Sequence, residues 1–267
     1  MSHLNENTQR LVSLYKDTEF KAAFTQNYLN RFNLARIEQE YVWAFGAITR
    51  SQATANSPAL SSLSNESIKR VLLTMSAAGL SFDPQEKHFY LKTELGIDGA
   101  VIPRVILGYL GMKQLAMNSG LVKAIGNDIV YESDSFTWYG SNKEPAFSST
   151  CRNPTDNVVC GYVCLYMVDG SVYSYRMSSA ELLSIEENDM QMREEMGTGK
   201  ESSLYSGPWR ERCLRIALWR CAYREFKHLF TKDELLIEQE KSTGETNSDS
   251  FSSDFAAALN NTAEVTS

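Results

Sequence analysis

The sequence contains little of what builds metal centres, disulfide frameworks or membrane spans. Among its 267 residues are three histidines and five cysteines, and no two cysteines form a CxxC pair. The histidines lack metal-ligand spacing and the cysteines are odd in number, so we expect no metal site and five reduced thiols. No run of eighteen apolar residues occurs, and residues 1–10 are polar, so neither a membrane span nor a signal peptide is predicted. These features favour a cytoplasmic protein.

Signatures of catalysis and of nucleotide binding are also missing. The segment from Gly197 to Lys200 resembles part of a phosphate-binding loop, but Glu194 stands where a glycine is required and Glu201 where a hydroxyl must bind magnesium. No GxSxG or HExxH motif is present, so we expect that the protein is not an enzyme. A metal-dependent DNA-processing nuclease stays open as an alternative if folding brings together acidic residues from the following set: Asp83, Glu86, Asp98, Asp128, Glu132 and Asp134.

What the sequence does contain is a basic segment in an acidic chain. The formal net charge is −7, yet residues 207–232 carry seven Lys or Arg against two acids, a balance of +5. A local charge opposite to the global charge indicates where an anion would bind. The alternatives are a solvated helix face, or an interaction protein whose basic helix docks an acidic partner, including the chain's own segment 181–201.

The hydrophobic pattern predicts an α+β fold. Apolar residues recur at helical spacing over residues 5–50. A capped helix begins at Ser64 or Asn65 and ends at Gly79, and its predicted buried stripe is Ile68, Val71, Leu72 and Met75. HFYLK and AVIPRVIL predict a central β-hairpin, which a short helix follows. The pattern from Ala124 to Met177 is that of strands in a twisted antiparallel sheet.

The last third of the chain is expected to hold a helix start at Ser178 or Ser179, an acidic loop, a basic C-terminal helix and a tail. Residues 181–206 carry seven acids and two bases, which we interpret as a mobile acidic loop. Residues 240–267 are polar and acidic and are predicted to be disordered. We expect one domain over residues 1–239.

Basic residues interleaved with aromatic ones suit single-stranded nucleic acid, because cations bind phosphates and unpaired bases stack on flat side chains. The cations of the basic helix fall close to one broad face, opposite Leu214, Leu218, Cys221 and Ala222. Each aromatic candidate also has an explanation that does not involve DNA: Tyr90 and Tyr109 could belong to the sheet core, and Trp209 could pack the turn. Arg104 could form an ion pair at the sheet edge or in the interior. The candidate DNA-binding residues, with the first two ranked highest, are Arg215, Arg220, Arg212, Arg224, Arg210, Lys227, Lys92, Arg104, Lys113, Lys123, Tyr109, Tyr90 and Trp209.

Three motifs in order resemble the RecT family of phage and prophage single-strand annealing proteins, to which lambda-type Beta is distantly related. Ala78-Gly79-Leu80 through Tyr90-Leu91 is similar to the family's QLGLEP…AYLLPFG segment, and residues 108–120 are similar to GYRGMIDLARRSG. Gly207-Pro208-Trp209 before the Arg-rich helix is similar to the family's GPW motif. The resemblance covers residues 18–232. It departs from the family at Leu110 and at Met117-Asn118, where the family carries arginines.

The resemblance implies ATP-independent binding of single-stranded DNA and annealing of complementary strands in phage-type homologous recombination. It implies a homo-oligomeric ring or filament that holds the DNA and the annealed duplex intermediate in a basic groove, with residues 1–239 as the DNA-binding and oligomerisation domain. It also implies a 5′–3′ exonuclease partner and contact with the host single-strand binding protein. From composition we expect no membrane association, and we expect a location in the bacterial host's cytoplasm. We expect no required cofactor, with Mg²⁺ as a candidate modulator of annealing.

Overall fold

The computed structural model describes residues 6–54, 57–96, 99–149 and 156–230. These residues divide into two compact units, one that ends at Ser119 and one that runs from Gly120 to Phe230. The predicted α+β class is confirmed, since both units combine helices with antiparallel strands. The tail predicted over residues 240–267 lies outside the described residues, so its disorder stays a prediction.

Unit 1 consists of four helices, a β-hairpin and a fifth helix. Its elements in chain order are α1 (Glu6–Tyr15), α2 (Thr18–Tyr28), α3 (Leu34–Arg50), α4 (Asn65–Ala77), β1 (Phe89–Leu95), β2 (Val101–Leu107) and α5 (Tyr109–Asn118). The helical pattern over residues 5–50 thus resolves into three helices. β1 and β2 pair in antiparallel register, which confirms the predicted hairpin.

Buried aromatic rings and the apolar stripe of α4 hold the helices of unit 1 together. Phe24, Tyr28 and Tyr41 are almost completely buried, and the Phe24 ring centroid lies 5.2 Å from that of Tyr41. Ser64 caps α4 by accepting a hydrogen bond from Ser67 N. The predicted stripe is confirmed, because Ile68, Val71, Leu72 and Met75 are all buried.

A buried carboxylate fixes the segment that leads from α4 to β1. Glu40 of α3 is completely buried and accepts hydrogen bonds from Phe82 N at 2.6 Å and Ser81 Oγ at 2.7 Å. Arg36 Nη2, one turn earlier on the helix, lies 3.0 Å from its Oε1 atom. Burial raises the pKa of the Glu40 carboxyl, while the hydrogen bonds from Ser81 and Phe82 oppose that shift. The backbone at residues 81–82 is therefore anchored to α3.

Two glycines let the start of α5 approach the start of the hairpin. A Cβ atom on Gly111 would lie 1.8 Å from the carbonyl oxygen of His88, and one on Gly108 would lie 2.2 Å from that of Lys87. Gly108 N donates a hydrogen bond to His88 O at 2.9 Å. This packing explains why both glycines of the Gly-Tyr-Leu-Gly-Met motif are needed, independently of any ligand.

Unit 2 is a three-stranded antiparallel sheet with two helices and a small hairpin. Its elements are β3 (Val122–Tyr131), β4 (Ser135–Thr137), β5 (Ala146–Ser148), β6 (Val158–Met167), β7 (Val172–Ser178), α6 (Ser179–Glu195) and α7 (Arg210–Phe226). The strand order is β3-β6-β7, and β4 pairs separately with β5.

The central strand β6 is covered on both faces. A Cβ atom on Gly161 would lie 2.8 Å from Leu218 of α7 and 3.2 Å from Leu182 of α6, so both helices pack closely on this face. On the other face, the ring centroids of Phe136 and Phe147, from β4 and β5, lie 5.4 and 5.5 Å from that of Tyr162. The alternation of side chains along β6 thus separates a helix-covered face from a hairpin-covered face.

The prediction of an acidic loop over residues 181–206 is wrong for most of that segment. Ser178 and Glu181 form a capping box, and the helix α6 continues to Glu195. Its glutamates, methionines and glutamine favour a helix, but only Leu182 and Asp189 are buried, so the sequence shows no clear apolar stripe. Ser203 Oγ donates to Asp189 at 2.6 Å, which ties the following segment back to the helix.

The described cysteines are free thiols, as the sequence predicts. Cys160, Cys164 and Cys213 are buried and Cys221 is half-buried, whereas Cys151 lies outside the described residues. Burial raises the pKa of the Cys213 thiol to about 11, so it stays protonated at neutral pH. No helix in the part of the chain that the structure describes is long and apolar enough to cross a membrane.

We predict that Gly111→Ala lowers the free energy of unfolding by about 1–3 kcal/mol, because the new methyl group meets the rigid carbonyl of His88. Denaturant unfolding measures this loss. Gly46→Ala is the matched control, since Gly46 also lies in a helix of unit 1 but its Cβ would meet only the movable Arg50 guanidinium, at 3.0 Å. The control should be neutral or stabilising by up to about 1 kcal/mol. Equal losses from both substitutions would contradict the explanation.

Candidate nucleic-acid interface

The basic helix predicted from sequence is α7, and it is a core helix of unit 2. The predicted buried residues Leu214, Leu218 and Ala222 are completely buried, whereas Cys221 is only half-buried. Its full set of buried side chains is Cys213, Leu214, Ile216, Ala217, Leu218, Trp219, Ala222 and Tyr223. The buried arc is therefore wider than the sequence pattern indicates, which leaves less room for an exposed basic stripe.

Two arginines of α7 are held by carboxylates from the same unit. Arg215 Nη2 lies 2.6 Å from Asp128 Oδ1 of β3 and 2.7 Å from Glu211 Oε1, one turn earlier on α7. Arg210 Nη2 lies 2.9 Å from Glu186 Oε2 of α6, and this pairing raises the pKa of Arg210. These two arginines are thus partly neutralised.

Two other arginines of α7 reach solvent. Arg212 and Arg224 are exposed and make no ion pair within the described ranges. They lie twelve residues apart in sequence, which corresponds to about 18 Å along a helix. α7 therefore presents one solvent-accessible cation near each of its ends.

An exposed aromatic ring lies beside the first of these cations. Trp209, which precedes α7, is 56% exposed, and the guanidinium carbon of Arg212 lies 5.7 Å from its ring centroid. The alternative that Trp209 serves to pack the turn is disfavoured by this exposure. A flat ring and a cation side by side can hold a base and its phosphate.

The remaining candidates of unit 2 differ from one another in exposure and in their contacts. Arg220 and Lys227 are half-buried, and both make contacts within the protein. Lys123 is exposed near the start of β3. Arg220 and Lys227 therefore differ from Arg212 and Arg224, which combine exposure with the absence of an ion pair among the described residues, whereas Lys123 shares both properties.

The hairpin of unit 1 brings three candidates from two sequence segments onto one face. Lys92 and Arg104 are direct cross-strand partners, and Tyr90 is two residues before Lys92 on the same side of β1. All three are half-buried. Arg104 Nη1 also lies 3.3 Å from Glu94 Oε2, an ion pair on the same hairpin face.

Helix α5 carries the last two candidates as a stacked pair. Lys113 Nζ lies 4.7 Å from the ring centroid of Tyr109, one turn earlier. Leu110 and Met117, at the positions where the family motif carries arginine, are 41% and 40% exposed. The chain therefore has apolar surface on α5 at two of the three arginine positions, whereas Asn118, at the third, is half-buried and donates a hydrogen bond to Ala78 O at 2.8 Å.

Sequence reasoning missed the acids that pair with the basic helix. The spacing of Glu211 and Arg215 is visible as an i,i+4 pair. Asp128 and Glu186 lie 87 and 24 residues from their arginines, so no local pattern signals either contact. Among the described residues, no group of three or more His, Cys, Asp or Glu side chains has the arrangement of a metal site.

Comparison with known proteins gives one family match. Residues 44–246 match the RecT family. This range contains every candidate DNA-binding residue, from Tyr90 to Lys227. No curated protein matches the chain.

The exposure of Trp209 generates a stability prediction. Trp209→Ala should lower the free energy of unfolding by about 1 kcal/mol or less, because 56% of this residue is exposed. Trp219→Ala, ten residues further on, should cost about 3–5 kcal/mol, because that ring is completely buried. Denaturant unfolding of both variants measures the difference. A comparable loss from Trp209→Ala would show that the ring is structural.

Proposed function

Because the chain belongs to the RecT family, whose members anneal single-stranded DNA in phage-type recombination, we propose that it binds single-stranded DNA and pairs it with a complementary strand without ATP. The observation that carries this proposal is the family match over residues 44–246, which spans most of both units. The proposed activity needs no bond to be broken, so it needs cations and flat rings in place of catalytic residues.

In unit 2 the proposed DNA contact is the end of α7 near Trp209. Arg212 would bind a phosphate, and the exposed ring of Trp209 would stack on a base. Arg224 would bind a second phosphate further along the helix, while Lys123, Arg220 and Lys227 remain secondary candidates. Phosphate contacts of this kind carry no sequence information, so the binding should tolerate any sequence.

In unit 1 the proposed contacts are the hairpin face and α5. The cross-strand pair of Lys92 and Arg104 places two cations opposite each other on the face that also carries Glu94, and one bound phosphate would contact both cations. Tyr90 on the same face and Tyr109 beside Lys113 would offer rings to bases. These contacts support the proposal that both units touch DNA.

The finer parts of the proposal come from the family. They are a homo-oligomeric ring or filament with DNA in a basic groove, a 5′–3′ exonuclease that exposes the strand, and contact with the host single-strand binding protein. We include Mg²⁺ as a modulator of annealing with no catalytic part. The proposal places the protein in the cytoplasm of a bacterial host.

Annealing of two complementary, fluorescently labelled oligonucleotides tests the proposed activity. We predict faster pairing than the spontaneous rate without nucleotide, with both strands intact afterwards, in the presence and absence of Mg²⁺. The acceleration should fall steeply as salt is raised, because released counterions drive binding. Cleavage of either strand in Mg²⁺ would favour a nuclease instead. Absence of both acceleration and DNA retention would leave the basic helix as a protein-docking surface.

The double substitution Arg212→Ala/Arg224→Ala tests the contact on α7. It should weaken binding of single-stranded DNA of any sequence and reduce the slope of log affinity against log salt by about 1.4, or about 0.7 for each phosphate that is no longer bound. Lys16→Ala/Arg50→Ala is the matched control, because it removes two exposed cations of unit 1 that are not candidates. If both double variants lose equal affinity, α7 has no specific part in the contact.

A further inference from the structure

Arg215, ranked first among the DNA-binding candidates, is already bound to two carboxylates. Its single positive charge faces the negative charges of Asp128 at 2.6 Å and Glu211 at 2.7 Å. The side chains of Arg215 and Asp128 are 35% and 24% exposed, so the pair is accessible to solvent and to a ligand. A DNA phosphate that approaches Arg215 therefore meets a local excess of negative charge.

The geometry of the Arg215–Asp128 contact allows a phosphate to replace the carboxylate. Both carboxylates contact the same nitrogen, Nη2, and the buried Nε atom of Arg215 has no hydrogen-bond acceptor in the described part of the chain. An arginine binds an oxyanion most strongly when two nitrogens donate in parallel. The Asp128 contact lacks that form, so a phosphate can compete with it.

A second arginine of α7 is held by a different element, in the stronger form in which two nitrogens meet both oxygens of one carboxylate. Arg210 Nε lies 3.0 Å from each oxygen of Glu186, and Nη2 lies 2.9 Å from Oε2. Glu186 belongs to α6, and its side chain is only 13% exposed. Two different elements, β3 and α6, thus each supply one carboxylate to a cation of α7.

We infer that Asp128 and Glu186 compete with DNA phosphate for Arg215 and Arg210, and that they thereby set the affinity and reversibility of DNA binding. The inference rests on the proposed function. Carboxylate and phosphate offer the same arginine the same kind of charged oxygen. Each arginine–phosphate contact then forms only as a carboxylate contact breaks, so each such exchange adds little net affinity. An annealing protein needs such weak contacts, because strands must shift until their bases pair.

Glu211 differs from the other two acids. It lies one turn before Arg215 on the same helix, in the orientation that stabilises an isolated helix. It would stay beside Arg215 whether or not phosphate is bound. Asp128 and Glu186 reach their arginines only through tertiary packing, and they are therefore the residues to test.

The experiment measures binding of a fluorescent oligothymidylate by the full chain at several salt concentrations. Asp128→Asn should lower the dissociation constant about three- to fivefold, the effect expected for loss of a part-exposed competing ion pair. Glu186→Gln should lower it at least as much, because the pair that it breaks is bidentate and less exposed. The slope against log salt should become steeper by about 0.7 for each additional phosphate that the protein binds.

Glu225→Gln is the matched control for the change in net charge. Glu225 is an exposed acid of α7 that makes no ion pair among the described residues, so its neutralisation removes one negative charge without releasing an arginine. It should tighten binding less than about twofold, through the general field alone. In an Arg215→Ala background, Asp128→Asn should increase DNA affinity no more than Glu225→Gln does, because the arginine that Asp128 holds is absent.

The outcomes separate the inference from the proposed function. If the wild-type chain binds DNA and neither Asp128→Asn nor Glu186→Gln binds more tightly than Glu225→Gln, the inference is wrong and the proposed function stands. If neither the wild type nor any variant binds DNA, the proposed function fails and the inference with it. Thermal unfolding tests whether each variant is folded at the assay temperature. If Asp128→Asn is not folded there, the comparison of Glu186→Gln with Glu225→Gln decides whether the inference holds.

Discussion

The close contact between α7 and the sheet of unit 2 determines which side chains of that helix can meet a ligand. Gly161 provides the space, since a side chain there would collide with Leu218 and Leu182. With α7 so near the sheet, eight of its residues are buried. Its cations are therefore displaced to the ends and margins of the helix, where some meet acids of β3 and α6 and others meet solvent.

This constraint changes how the basic segment is understood. The +5 balance of residues 207–232 suggests a continuous basic stripe. In the folded unit, Arg210 and Arg215 are paired with carboxylates, while Arg212 and Arg224 are exposed. The potential that a nucleic acid meets is thus set by a few exposed cations and by acids that hold the others. An overall acidic chain can bind DNA by this means while resisting adhesion elsewhere.

Much of the fold could be predicted because its signals are local. The Ser64 cap, the apolar stripe of α4 and the turn between β1 and β2 each lie within a few residues of the elements that they define. The extent of α6 could not be predicted, because its buried residues Leu182 and Asp189 are too few to give a helical period. Half-burial of Cys221 likewise depends on how α7 is rotated against the sheet.

The sequence by itself determined the family, the α+β class and the residue types available for DNA, because motifs and periodicities are properties of neighbouring residues. Tertiary structure decided which of those residues are accessible. It placed Tyr90, Lys92 and Arg104 on one hairpin face, exposed Trp209 beside Arg212, and paired Arg215 with Asp128 from 87 residues away. The physical reason is that the charge state and exposure of a side chain depend on neighbours in space, which local sequence does not specify.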